Sequence, residues 1–257
     1  MTKQNWPTFD SSMQYSYDYM NIKADLQKWN ILESRYNIIK DRGIQSNKIP
    51  KIVHQIWLGG DMPVAEQNMI NQVKSTLSED WIHMLWTERD IDKLHNFKNI
   101  NLFNETPNYG QKSDLLRYSI LAEIGGVYMD TDFTLIKQFD ELIDLDFFCG
   151  VSYDNSPSLF NGIIGCSPNN ELINDLLFLD RPLMYHDAMK LMDSTGPFFL
   201  TRKVFNHILH NKDILVLPNS FFYPLPNFER SKSLGPDYSS YLKTETICCH
   251  MWSSSWM

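Results

Sequence analysis

The stretch from Ser113 to Asp132, SDLLRYSILAEIGGVYMDTD, decides how this chain is read. Leu116, Ile120 and Ile124 recur every four residues with Leu115 and Leu121 beside them, which predicts a helix whose apolar face packs into a core. Gly125 and Gly126 follow the last periodic residue and supply the left-handed backbone that closes a helix and reverses the chain. Val127, Tyr128 and Met129 then have strand propensity. Asp130 and Asp132 stand where that strand is expected to break, with the labour divided between them. One carboxylate binds a hard divalent cation, and the other reaches it through water or holds a neighbouring hydroxyl. Oxygen ligands select Mg2+ or Mn2+ over softer metals, and such ions keep positions open for substrate phosphates.

Plainer readings of the same residues exist. An isolated Asp-X-Asp most often marks a solvated turn. An EF-hand loop starting at Asp130 would put Asp132, Thr134 and Glu141 at ligand positions, but Leu135 occupies the place where that loop requires glycine. Asp114 and Arg117, spaced i and i+3 on the helix, share one face. As an exposed ion pair they would contribute only ~0.3–0.5 kcal/mol.

The order SD-x-x-R, then GG-x-Y-x-D-x-D with its first carboxylate at Asp130, resembles the DXD sugar-binding glycosyltransferases. That family includes bacterial capsule and lipopolysaccharide enzymes, the yeast initiating mannosyltransferase and, more distantly, the large clostridial glucosylating toxins. The resemblance extends to IPKIVHQIWLGG at Ile49 to Gly60, TGP at Thr195 to Pro197, FFYP at Phe221 to Pro224 and HMWSSSW at His250 to Trp256. It implies a GT-A type fold, an α/β architecture with a Rossmann-like mixed sheet flanked by helices, over residues 47–257. Residues 1–46 lie outside it as an N-terminal helical extension.

Composition agrees with a globular protein. A chain of 257 residues suits one large α/β domain, and 7 Trp, 12 Tyr and 15 Phe offer many aromatic platforms for sugars and bases. A net charge of -8 argues against nucleic acid and against an anionic membrane surface as main partner. The sequence has no apolar run of about 18 residues and no leader pattern at Met1 to Ser12, so a cytoplasmic location is expected, with at most peripheral contact at the inner face of the membrane. Cys149, Cys166, Cys248 and Cys249 have no zinc spacing and are expected to be free buried thiols.

In chain order, Ile22, Leu26, Trp29, Leu32, Tyr36 and Ile39 predict one long amphipathic helix. Strands are expected at Lys51 to Leu58, Trp81 to Trp86, Phe133 to Ile136, Asp146 to Tyr153, Gly162 to Cys166, Ile214 to Leu217 and Thr246 to Cys249. Helices are expected at Pro63 to Leu77, Glu88 to Leu94, Glu171 to Leu179, Leu183 to Met192 and Phe198 to Leu209. Alternating strands and helices argue a parallel, Rossmann-like order. Asn161 falls between two expected strands, and Asn219 to Leu242 reads as loop. His54 reads as a satisfied core histidine.

The resemblance also implies roles. Gln55, Ile56 and Trp57 would contact the nucleobase beyond the first strand, with Tyr128, Asp114, Arg117 and Asp130 along the donor and Asn161 facing its sugar. Asp114, Arg117, Asp130 and Asn161 form the expected catalytic set, and Asp130, Asp132 and His250 the expected ligands of Mn2+ or Mg2+. The Ser and Trp tail, ending in Trp256, would close over the diphosphate. The expected reaction is retaining transfer of a hexose from a nucleotide-diphosphate sugar, a UDP-sugar being favoured, to a glycan or glycolipid hydroxyl. A catalytically silent sugar-nucleotide or glycan-binding protein and a toxin-like protein glycosyltransferase are the alternatives.

Overall fold

The computed structural model describes residues 5–13, 24–42, 46–151, 156–183, 187–234 and 236–253. Its helices are α1 (Phe9–Ser12), α2 (Leu26–Arg42), α3 (Val64–Thr76), α4 (Ile100–Glu105), α5 (Tyr109–Ile124), α6 (Glu171–Leu176), α7 (Ala188–Ser194), α8 (Pro197–His207) and α9 (Asn219–Phe222). The strands are β1 (Ile52–Ile56), β2 (Ile82–Trp86), β3 (Gly126–Met129), β4 (Phe133–Leu135), β5 (Phe147–Val151), β6 (Leu159–Cys166), β7 (Ile214–Leu217) and β8 (Cys248–His250). The expected helix near Glu88 is a 3-10 turn, Glu88–Lys93, closed by a capping box between Thr87 and Asp90. The helix expected to run on to Leu179 stops at Leu176, and Ile22 and part of the stretch after Leu183 lie outside the described residues.

The deciding stretch folds as its pattern predicts. Asn108 caps α5 through the amide of Gln111, and the helix ends at Gly125 with φ +70° and Gly126 with φ +99°. A Cβ at Gly125 would stand 2.7 Å from the Pro168 nitrogen and one at Gly126 2.7 Å from the Ile52 carbonyl, so this reversal requires glycine twice over.

The main sheet has the order β2-β1-β3-β6-β5-β7. β1 runs parallel to β2 and β3, and β5 parallel to β7, whereas β6 is antiparallel to both β3 and β5. The sheet is therefore mixed, as the resemblance implies, and the parallel order argued from alternating strands and helices holds only for β2-β1-β3 and for β5 with β7. The short connection from Val151 to Leu159 is too brief for a crossover and returns β6 as a hairpin partner. Asn161, expected between two strands, consequently lies inside β6. β4 leaves the main sheet and pairs with β8, bringing Phe133 opposite His250. His250 is thus the last residue of its strand rather than the residue after it.

One core unites these layers. His54, fully buried in β1, donates from Nε2 to the Gly125 carbonyl at 2.9 Å and accepts at Nδ1 from Trp86 Nε1 at 3.1 Å, a tautomer set by its partners. Burial lowers its pKa to about 4. Trp29, Leu32, Tyr36 and Ile39 form the buried face of α2, which packs on β7. Trp6 stacks on Tyr36 and meets Phe221 edge-on, so these N-terminal residues share the core of the sheet. The segment expected as loop from Asn219 is a correction: Phe221, Phe222, Tyr223 and Leu225 are buried in α9 and the turn after it. Its first three aromatics provide core, whereas Phe228 further along is exposed. The four cysteines are free and buried.

Candidate functional site

The site lies where β3 ends. Asp130 leaves the strand with its amide donating to the Gly162 carbonyl at 2.8 Å, and its own carbonyl accepts from Gln55 Nε2 at 3.2 Å. Both flanks of the backbone are thereby fixed by neighbouring strands. Asp132 sits in the turn before β4, its carbonyl accepting from the Met251 amide at 2.8 Å. Pairing of β4 with β8 then sets His250 Nε2 3.0 Å from Asp132 Oδ1.

One ligand atom from each of Asp130, Asp132 and His250 can be chosen so that all lie within 4.8 Å of one another. Adjacent ligand atoms on one octahedral cation at about 2.1 Å are separated by roughly 3 Å, which is the Asp132 to His250 distance. His250 Nδ1 is buried without a hydrogen-bond partner among the described residues, so the protein does not hold this ring through both nitrogens. Two carboxylates and one imidazole, with Asp130 still 30% exposed at its side chain, fit a hard divalent cation with open positions. Burial pushes the Asp130 pKa up, against the opposing charge of Arg117. Burial acts on Asp132 in the same direction, but His250 and the Ser253 amide outweigh it and hold this carboxyl below its ordinary value.

Beside the cluster is a closed polar network. Arg117 donates from Nη1 to the Asn161 carbonyl at 2.5 Å and from Nη2 to Ser113 Oγ at 3.0 Å, and its Nη2 lies 3.3 Å from both Asp114 Oδ1 and Asp130 Oδ1. Its guanidinium covers the Tyr128 ring at 4.3 Å, and Tyr128 Oη donates to Asp130 Oδ1 at 2.5 Å. Asp114 accepts from Asn161 Nδ2 at Oδ1 and from Thr195 Oγ1 at Oδ2, each at 2.7 Å. Both members of the Asp114 and Arg117 pair are 5% exposed, which excludes the solvated ion pair. Burial raises the Asp114 pKa to about 6 in spite of Arg117.

The structure thus brings together Asp114, Arg117, Tyr128, Asp130, Asp132, Asn161 and His250. Gln55 and Ile56 sit lower, inside the sheet. Gln55 is fully buried, with its amide on Asp130 and its Oε1 accepting from His83 Nε2 at 2.9 Å, and Ile56 is 6% exposed. Trp57 is half-buried at the carboxyl end of β1, with Nε1 on the Gly60 carbonyl. Trp256 lies outside the described residues. Trp252, expected in a closing tail, is held in the fold: it donates to the Leu225 carbonyl at 2.8 Å and stands edge-on to His250 at 4.0 Å between ring centroids. Sequence reasoning missed the part played by Thr195 and Tyr118, although the TGP motif pointed at the first. Tyr118 closes the network by donating to the Thr195 carbonyl at 2.7 Å.

Residues 63–148 match the profile of a family described as the glycosyltransferase sugar-binding region containing the DXD motif. That stretch of the chain carries the sugar-binding region of these glycosyltransferases, with its DXD motif. It is 28% identical over 220 residues to an uncharacterized glycosyltransferase of Acanthamoeba polyphaga mimivirus, covering 81% of this chain and 84% of that protein. It is also 28% identical over 205 residues to inositol phosphoceramide mannosyltransferase 1 of Schizosaccharomyces pombe, where the match spans 71% of this chain and 60% of the relative. Among solved structures, the PaToxG glycosyltransferase aligns with TM-score 0.50 at 18% identity, over 72% of this chain and 81% of its own. The glycosyltransferase domain of the YGT toxin aligns with TM-score 0.51 at 11% identity, over 77% and 89%. These two likenesses bear on the fold, which is that of the GT-A glycosyltransferases.

Proposed function

We propose that this glycosyltransferase moves a hexose from a nucleotide-diphosphate sugar to a hydroxyl of a glycan or glycolipid, with a divalent cation at Asp130, Asp132 and His250 and with retention at the anomeric carbon. The observation that carries the reading is the convergence of those three side chains beside the buried Arg117 network. The sugar C1 to phosphate-oxygen bond breaks, C1 bonds to the acceptor oxygen, and the acceptor proton passes to the leaving diphosphate. The cation, when bound, neutralises charge that builds on that diphosphate.

The remaining work falls to the chain itself. Arg117 holds Asp130 and Asp114 in place, and Tyr128 fixes one oxygen of Asp130, so that the donor meets a pre-set polar wall. Asp114 and Asn161 lie along that wall as groups for the sugar hydroxyls. Asp114 already accepts from Asn161 and Thr195, which leaves it poorly disposed as a covalent nucleophile and supports a same-face displacement. Trp57, half-buried at the end of β1, is the side chain offered for a nucleobase, with Gln55 and Ile56 supporting the strand beneath it. The names of the fission-yeast relatives favour a glycolipid acceptor. Among the described residues no helix is long and apolar enough to cross a membrane, which is compatible with peripheral contact.

The test is a screen of UDP- and GDP-hexoses for release of the nucleoside diphosphate, with Mn2+, with Mg2+ and in excess chelator. Release that depends on the cation and is lost in Asp132→Asn is expected. Full turnover in chelator rejects the metal assignment, and nucleotide binding without release from any donor rejects the enzyme in favour of a silent binding protein.

A further inference from the structure

Tyr223, in the FFYP run, stands outside the Arg117 network and the three candidate metal ligands. It is 1% exposed, and its hydroxyl has no hydrogen-bond partner among the described residues. A buried hydroxyl without a partner is destabilising, and native folds keep few of them. Its ring occupies a slot opened by two glycines on neighbouring strands. A Cβ at Gly150 of β5 would come 2.7 Å from Tyr223 Cε2, and one at Gly162 of β6 would come 3.4 Å from Tyr223 Oη.

That same Gly162 Cβ would stand 2.8 Å from Asp130 Oδ2. The tyrosine hydroxyl and the carboxylate oxygen therefore border one point, left clear because residue 162 has no side chain. Asp130 Oδ1 is already engaged by Tyr128 and faced by Arg117. Oδ2 accepts from no described residue, which leaves it as the oxygen available to a cation. Ring contacts tie Tyr223 to the rest of the cluster, with centroids 5.6 Å from Phe133, 5.7 Å from His250 and 6.0 Å from Trp252.

We propose that Tyr223 is a positioning residue of the cation site: when Asp130, Asp132 and His250 gather on a divalent ion, the Tyr223 hydroxyl donates to Asp130 Oδ2 past Gly162 and sets the direction that oxygen presents to the ion. This rests on the metal assignment made above. Burial first, and then the charge of Asp130, push the phenol pKa up, which favours the protonated, donating form. Carboxylates that ligate metals are commonly oriented by such a hydrogen bond, and its loss weakens metal binding roughly 10- to 100-fold.

Tyr223→Phe keeps the ring and removes the hydroxyl. Three quantities decide the matter: Mn2+ affinity of the ligand-free protein from the electron paramagnetic resonance signal of free Mn2+, the melting temperature in chelator, and the Mn2+ concentration giving half-maximal turnover. The expected result is Mn2+ binding weakened about 10-fold, a matching rise in the half-maximal concentration, and a melting temperature in chelator unchanged or slightly higher. Phe160→Leu, which alters a ring packed on Tyr223 at 4.7 Å, is the packing control and should lower the melting temperature while leaving Mn2+ affinity in place. Parental Mn2+ affinity in Tyr223→Phe overturns the proposal and leaves only a packed ring, with or without a buried water. A melting temperature in chelator that falls by more than about 4 °C overturns it too, since the hydroxyl would then be paired in the empty fold. Failure of the unmodified protein to bind Mn2+ at all is a different outcome: it removes the metal assignment, and the role of Tyr223 with it.

Discussion

The backbone amide of Ser253 donates to Asp132 Oδ2 at 3.0 Å while the opposite oxygen of the same carboxylate faces His250. The chain after β8 is thus attached directly to a candidate metal ligand, and the attachment helps to keep Asp132 ionised. Its mechanical anchor is a different residue, Trp252, packed on His250, Phe160 and Tyr223.

These two roles separate by truncation. Deleting residues 253–257 should leave the melting temperature in chelator within about 3 °C of the parent, because Trp252 and its hydrogen bond to Leu225 remain. Mn2+ affinity and turnover should fall, since Asp132 loses its amide donor. Deleting residues 252–257 should in addition lower the melting temperature by more than that. Equal melting temperatures for the two truncations would show that Trp252 does not anchor the segment.

Gly162→Ala tests the clearance above Asp130. Gly162 has no positive φ, so alanine suits its backbone, and the difficulty lies in the 2.8 Å approach of the new Cβ to Asp130 Oδ2. The Asp130 amide is held on the Gly162 carbonyl, so the carboxylate must swing rather than the chain retreat. Turnover is expected to drop at least about 10-fold with the fold retained by circular dichroism. Parental turnover would mean that Asp130 has room to rotate without loss.

Stability against pH should carry two opposed slopes. Asp114 keeps its proton to about pH 6 in the fold against an ordinary value of 3.8, so between these values the folded chain binds more protons and stability falls as pH rises. His54 is lowered from 6.5 to about 4, so over that interval the folded chain binds fewer protons and stability rises with pH. Asp114→Asn removes the first slope and leaves the second. Relative to the parent, its stability should improve by at most roughly 1.4 kcal/mol per pH unit between about pH 4 and pH 6. The Thr195 hydroxyl can turn to accept from the new amide, which keeps the network closed. Urea unfolding of both proteins across this range gives the difference directly, and a constant difference would show that Asp114 ionises as an ordinary carboxyl.

The sequence by itself determined whatever depends on neighbours along the chain. Four-residue periodicity and the Gly125 and Gly126 pair define α5, its end and the start of β3, because helix faces and left-handed turns are properties of local backbone. The Asp-Thr-Asp at the close of β3 was legible for the same reason, and so was His54 as a satisfied core residue. Tertiary structure decided what surrounds those groups. Spacing placed Asp114 and Arg117 on one helix face, but only the approach of β6 and the TGP loop buries them among Asn161 and Thr195. Apolar runs marked strands without saying which would pair, so the antiparallel place of β6 and the β4 to β8 ladder had no local signal. The proline and serine content of Asn219 to Leu242 concealed a buried aromatic cluster, since composition averages over a segment whereas burial is set residue by residue by what packs against it. His250 reaches Asp132 only through that long-range pairing, and metal-binding geometry arises from such closures rather than from any spacing along the chain.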